Sequence, residues 1–360
     1  MTTQDKITKL IREDIRALSA YHVPDPGNLV KLDAMENPYG LPEDIKQEWL
    51  DILNNAKLNR YPDPDASELK KVLRELMQLH AEAEVILGNG SDELIQMIAM
   101  SVAKPDAVIM APEPSFVMYQ MIATFCKLNY VGVPLDNDFN LDMDAMLVAI
   151  NASQPAVIFL AYPNNPTGNL FSESDVRQII EAAPGLVVVD EAYTSFASHS
   201  MLSAIDDYDN LLVMRTVSKM GLAGLRLGML MGAPAWLEEI NKVRLPYNIN
   251  ILTQLTAEFL LKHTSLFEEQ SASIRTERAS MLASLNSMAN VHAFPSEANF
   301  ILFRITGKDP DEVFAELKTQ GVLIKNMSHA SPALQQCMRV TVGAPEENQT
   351  FLGCLEKCLA

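Results

Sequence analysis

The chain predicts an α/β fold: a large domain with a mainly parallel sheet sandwiched by helices, followed by a smaller α+β domain. Three observations carry this. Six short apolar runs, EVIL (84–87), AVIM (107–110), AVIFLA (156–161), LVVVD (186–190), NLLVM (210–214) and RLGMLM (226–231), lack polar alternation and so suit strands buried on both faces. Segments of helical spacing separate them, the alternation expected of a parallel sheet. The length of 360 residues exceeds one ordinary domain.

The elements follow in order. SELKKVLRELMQLH sets Leu69, Val72, Leu73, Leu76 and Met77 on one helical face, with Ser67 as its expected cap. GNGSDELIQMIAM at 88–100 ends a strand, turns on two glycines and opens a helix at Ser91 and Asp92. The uncharged stretch 145–172 is broken by Asn151, Gln154, Pro155, Asn164 and Pro166, so it reads as a helix end, a buried strand and a loop rather than a membrane span. A helical pattern runs from about Ile251 to about Asn286, long enough to link two domains. Beyond it VHAF, ANFILFRI, GVLIKN and MRVTVG read as strands, DPDEVFAELKTQ as a helix, and a last helix closes the chain. The expected division is 1–60 for an N-terminal arm that shares in the small domain, 61–270 for the large domain and 271–360 for the small one.

Composition excludes several functions. Hydrophobic residues at 48% and charged residues at 21% are globular values. A net charge of -18 argues against nucleic-acid and anionic-membrane partners. Residues 1–18 mix both charge signs without an apolar core, so no secretory signal is read there. Cys126, Cys337, Cys354 and Cys358 form no C-x-x-C pair and no cluster with histidine, which predicts packing roles, no metal and a reducing cytoplasm.

Four segments could carry chemistry. The helix opening at Gly90, Ser91 and Asp92 offers free N–H groups and a dipole suited to a phosphate, although Ser and Asp are also ordinary caps. AYPNNPTGNL (161–170) follows a buried strand, where ligands of parallel sheets bind, and Asn165 could donate to a ligand oxygen. It is equally a plain turn. Asp190 ends the apolar run LVVVD, an expensive place for a carboxylate unless it meets a cation, and Tyr193 lies three residues on. In MRTVSKMGLAGLRLG (214–228), small and apolar neighbours would desolvate Lys219, which lowers an amine's pKa and makes it a nucleophile toward carbonyls. Thr216, Ser218 and Arg226 around it make a second phosphate cradle. A carbonyl-binding lysine, an acid for a pyridinium nitrogen, donors for a phenolate oxygen and a phosphate cradle are together the requirements of pyridoxal 5'-phosphate.

With these residues in view, the sequence resembles the fold-type-I, class-II pyridoxal-phosphate-dependent aminotransferases, and within them the histidinol-phosphate aminotransferase family. The resemblance runs from about Leu32 to about Gly343 through KLDAMENPYG (31–40), RYPDP (60–64), GNGSDE (88–93), PEPSFVMY (112–119), YPNNPTG (162–168), DEAY (190–193), SKMGLAGLRLG (218–228) and MRVTVG (338–343). It implies an aspartate-aminotransferase-like large domain and transamination between L-histidinol phosphate and 2-oxoglutarate. It also implies a Schiff base between Lys219 and the cofactor, Asp190 on the pyridine nitrogen, Asn165 and Tyr193 on the phenolate oxygen, and Phe116 on the ring face. Gly90, Ser91, Asp92, Thr216, Ser218 and Arg226 would hold the phosphate, with Tyr61 reaching it from a second subunit of a homodimer. Arg339, Tyr21 and Lys325, with Asn165, would bind the substrate, and Arg226, Lys325 and Arg339 would line one cleft.

Three positions depart from the family pattern: Met35 stands for Asn, Phe116 for Tyr and Lys325 for Arg. Phenylalanine keeps the stacking face, and lysine keeps the charge but not the bidentate fork. Aromatic amino acid aminotransferases and threonine-phosphate decarboxylases share the cofactor residues, so only the substrate pocket separates those readings. Non-catalytic regulators of aminotransferase type carry a basic helix-turn-helix, which the N-terminal residues do not suggest.

Overall fold

The structure is a computed structural model that describes residues 1–20 and 24–360. Its strands are β1 (Val30–Lys31), β2 (Glu84–Asn89), β3 (Val108–Glu113), β4 (Asn129–Pro134), β5 (Val157–Ala161), β6 (Leu186–Asp190), β7 (Leu211–Thr216) and β8 (Leu227–Gly232), then β9 (Val291–Ala293), β10 (Phe300–Ile305), β11 (Val322–Leu323), β12 (Lys325–Asn326) and β13 (Cys337–Thr341). Seven of them form one sheet in the order β2-β8-β7-β6-β5-β3-β4. All pairs are parallel except the two made by β8. The sequence reading anticipated every strand of this sheet but β4, whose exposed Asn129 and partly exposed Tyr130 and Val131 break the apolar run.

Burial on both faces is visible residue by residue. Val187, Val189, Val213 and Met231 face one layer of apolar residues, whereas Val188, Leu212, Met214 and Leu230 face the other. Consecutive side chains of a strand point to opposite faces, so a continuous apolar run fills two cores at once. Burying each such side chain stabilises the fold by about 1.5–3 kcal/mol.

A second sheet, in the order β12-β13-β10-β9, is antiparallel throughout. Its core joins Phe300, Phe303, Val340 and Phe351 with Leu32 and Met35 from near the N-terminus. The segment before Leu32 also enters this region, because β1 pairs in parallel with β11. The run GVLIKN is therefore two short strands in different sheets, not one.

Two further expectations are corrected. The long helical pattern is two helices, Ile251–Leu260 and Thr264–Ser287, broken at Lys262 and His263. The second crosses position 270, giving Phe267 to the larger core and Ile274, Met281 and Leu285 to the smaller. Ser67 does not cap its helix but begins it, and its N–H donates to the Asp63 carboxylate at 2.7 Å. No helix among the described residues is long and apolar enough to cross a membrane, and no group of His, Cys, Asp or Glu there could hold a metal ion.

Candidate active site

The sheet register brings the candidate residues to one edge. Ala161, Asp190 and Met214 stand abreast at the ends of β5, β6 and β7, and Thr216 pairs with Gly228 of β8. β2 lies parallel to β7, so Asn89 and Gly90 emerge at the same edge, where Arg226 leads into β8. One cleft there is lined by Ser91, Asp92, Phe116, Asn165, Asp190, Tyr193, Thr216, Ser218, Lys219 and Arg226, together with Met35.

Lys219 lies in a wide helical turn, Ser218–Leu222, just beyond β7. The turn bends at Gly221, whose φ of 132° suits glycine, and Asn37 donates to the Met220 carbonyl at 2.9 Å. The Lys219 amine donates to the Ala34 carbonyl at 3.2 Å and lies 5.9 Å from the centre of the Tyr193 ring. Burial, aided by the positive charge of Arg339, pushes its pKa down to about 8. A large share of this amine is therefore neutral and nucleophilic near pH 8.

Asp190 is only 4% exposed and its pKa is pushed up to about 7, mainly by that burial. The Tyr119 hydroxyl donates to Oδ2 at 2.8 Å and the Ala192 N–H to Oδ1 at 3.2 Å, which both work in the opposite direction. A pyridinium N–H in the cleft would supply the cation that this carboxylate lacks among its named partners.

The phosphate end is shaped by glycine. Gly90 has φ +86°, and a Cβ there would lie 2.6 Å from an Arg226 guanidinium nitrogen. Gly228 leaves similar room, since its Cβ would meet the Gly90 carbonyl carbon and the Ser91 nitrogen at 2.7 Å. Arg226 reaches the Asp92 carboxylate at 3.2 Å, and the Thr216 hydroxyl donates to Ser218 Oγ at 2.9 Å. The helix Ser91–Ser101 begins at this gap with its N–H groups and positive dipole end. Hydroxyls, a guanidinium, a helix start, a desolvated amine and a buried carboxylate are the groups that pyridoxal phosphate needs, so the residues fit that cofactor.

An adjoining cleft shares Met35, Phe116 and Asn165 with the first and adds Lys325 and Arg339. These two cations face each other as a registered pair of β12 and β13. Arg226 is not among its lining residues, so the three cations expected in one cleft are divided between two adjoining ones. Buried Arg339 donates to Asn165 Oδ1 at 2.6 Å, and the Asn165 amide donates to the Tyr193 hydroxyl at 3.1 Å. That relay connects the two clefts.

The two remaining expected residues are Tyr61, expected to act from a second subunit, and Tyr21. Tyr61 lines neither cleft: it is 80% exposed and stacks on Tyr247 at 4.5 Å. Tyr21 lies outside the described residues. Sequence reasoning passed over Tyr119, the donor to Asp190, whose only signal was its place in PEPSFVMY. It gave Met35 no role, yet Met35 lines both clefts with φ +53° and donates its N–H to Thr341 at 2.9 Å.

The comparisons agree with this geometry. The model of the aminotransferase class I and II family matches residues 27–355. A histidinol-phosphate aminotransferase 2 of Nitrosococcus oceani is 52% identical over 354 residues, covering 98% of each chain. A histidinol-phosphate aminotransferase of Chromobacterium violaceum is 50% identical over 351 residues, again covering 98% of each. Among solved structures, that of histidinol-phosphate aminotransferase from Sinorhizobium meliloti in complex with pyridoxal-5'-phosphate superposes with a TM-score of 0.86 at 21% identity, covering 97% of each chain. The chain therefore belongs to the class I and II aminotransferases, and within them to the histidinol-phosphate aminotransferase family.

Proposed function

We propose that this protein is the pyridoxal-phosphate-dependent aminotransferase of histidine biosynthesis that converts L-histidinol phosphate and 2-oxoglutarate to imidazole acetol phosphate and L-glutamate. The observation that carries the reading is a desolvated lysine and a buried strand-end carboxylate lining one cleft, whose neighbour holds two cations. The first pair serves the cofactor, and the second serves a phosphate ester or a dicarboxylate.

Pyridoxal phosphate, when bound, supplies an aldehyde that condenses with amines and a ring that withdraws electrons from the substrate's Cα. Lys219 Nζ is the amine that would hold that aldehyde carbon between turnovers. When free, the same amine would take the proton from the substrate's Cα and redeliver it, a task suited to a pKa of about 8. Asp190 would keep a proton on the ring nitrogen, and Tyr119 keeps Asp190 oriented. Asn165 and Tyr193 would bind the ring's phenolate oxygen, and Phe116 would cover one face. Gly90, Ser91, Asp92, Thr216, Ser218 and Arg226 hold the phosphate. Arg339 and Lys325 hold the substrate's phosphate, with Tyr21 as a companion.

Exposed Tyr61, stacked on Tyr247, suits a partner surface. In this reading a homodimer forms and Tyr61 reaches the phosphate of the neighbouring subunit. The four free cysteines suit a reducing cytoplasm. The test is turnover: the purified protein should form glutamate from L-histidinol phosphate and 2-oxoglutarate. Preference for phenylalanine as amino donor would move the protein to the aromatic aminotransferases.

A further inference from the structure

The cleft that holds Lys325 and Arg339 has a second, oppositely charged wall. Glu113, the last residue of β3, lines it together with Tyr130 and Gln120. A carboxylate is out of place in a cleft selected for anions unless it serves something else. Glu113 takes part in none of the ion pairs found among the described residues, so the cations opposite do not neutralise it directly. Its near neighbour is the Tyr130 hydroxyl, whose ionisation burial, and then the carboxylate, oppose. Tyr130 therefore stays a neutral donor, and at least one carboxylate lone pair remains for another donor.

Backbone geometry reserves the place. A Cβ on Gly132 of β4 would lie 2.2 Å from the Glu113 carboxyl carbon and 2.5 Å from each oxygen. Glycine at 132 is thus what lets this carboxylate lie flat against the strand. Gly132 is not among the glycines of positive φ, so alanine is compatible with its backbone, and the three atoms its methyl group would meet first all belong to Glu113.

We propose that Glu113, with Tyr130, forms a subsite for the substrate's ring, accepting a hydrogen bond from an N–H of a basic heterocycle while Lys325 and Arg339 hold the phosphate at the other wall. This deepens the functional reading above and rests on it. A bipolar cleft matches a substrate that carries an imidazole at one end and a phosphate at the other. A phenyl ring gives the carboxylate nothing to bind, so the subsite selects against aromatic amino acids by leaving a desolvated acceptor without a partner.

The test compares wild-type holoenzyme with Glu113→Gln, Gly132→Ala and Gly132→Ala in a Glu113→Ala background, using L-histidinol phosphate and L-phenylalanine as amino donors. Loss of a charge-assisted hydrogen bond predicts that Glu113→Gln lowers kcat/KM for histidinol phosphate roughly tenfold to a hundredfold, chiefly through KM. Phenylalanine should change less than about twofold under the same principle. Gly132→Ala should reproduce the loss, because its methyl group displaces the carboxylate, and should add nothing once Glu113 is alanine. Equal losses for both donors, or no loss, would overturn the subsite while wild-type turnover of histidinol phosphate leaves the functional reading standing. A wild type that does not turn over histidinol phosphate overturns that reading and the subsite with it.

Discussion

The Lys219 cleft and the Arg339 cleft adjoin, yet they obtain their chemistry from different parts of the fold. The first is assembled from the ends of strands whose residues are almost wholly buried, β5 to β8, so its positions follow from one sheet register. The second is closed between that sheet and β12–β13 of the smaller one, and it includes the partly exposed Lys325 and the loop around Ser331. A rigid edge suits a resident cofactor, whose geometry must not vary between substrates. A cleft between two sheets suits two different substrates that must enter in turn, a phosphate ester and a dicarboxylate.

Substitutions in the two clefts should therefore fail in different ways. The largest effect is expected for Lys219→Ala, which should lower turnover by about 10⁴-fold or more with the thermal midpoint nearly unchanged. Appreciable residual activity would remove Lys219 from the chemistry.

Asp190→Asn should come next, with a loss of roughly a thousandfold, and it should carry an opposite effect on stability. The folded carboxyl titrates at about 7 against an ordinary value of 3.8, so the fold favours its protonated form. That contribution is complete below 3.8 and is lost as pH rises through about 7. Asparagine has no such dependence. Without cofactor, Asp190→Asn should melt higher than wild type above pH 7, by an amount on the order of a few kcal/mol, and should show no advantage at acid pH. A variant less stable than wild type at pH 8 would mean that the carboxylate already has its cation within the protein.

Arg339→Ala should act on the other side. KM for the phosphate-bearing donor should rise roughly tenfold to a hundredfold, while affinity for the cofactor falls no more than about threefold. A larger loss of cofactor than of substrate would show that the bond from Arg339 to Asn165 serves chiefly to hold the first cleft together, and would dissolve the comparison.

Much of the first cleft was legible in the sequence because its residues follow apolar runs at strand ends, where a polar residue is conspicuous. Asp190 after LVVV and Lys219 amid small neighbours are of this kind. The second cleft was less legible. Arg339 lies within an apolar strand, but Glu113 and Tyr130 meet only because β3 and β4 pair, and β4 was missed for its polar residues. Met35 gave no signal because its left-handed backbone, not its side-chain type, sets its place between the clefts. The break at Lys262 and His263 was hidden for a similar reason, since helical spacing continues on both sides of it. Gly90 read as a turn residue and Gly228 as part of a strand, whereas both leave room at the start of the helix, Gly90 for Arg226 and Gly228 for the Gly90–Ser91 backbone. Long-range pairing and steric vacancy leave little trace in local pattern.

The two-walled cleft is tested most directly by the first half-reaction of the holoenzyme with L-histidinol phosphate and with L-phenylalanine, each followed by the change in cofactor colour. The two-walled cleft predicts kcat/KM for histidinol phosphate higher by about a hundredfold or more, the size expected for one charge-assisted bond to each end of the substrate. Equal values, or a preference for phenylalanine, would contradict it.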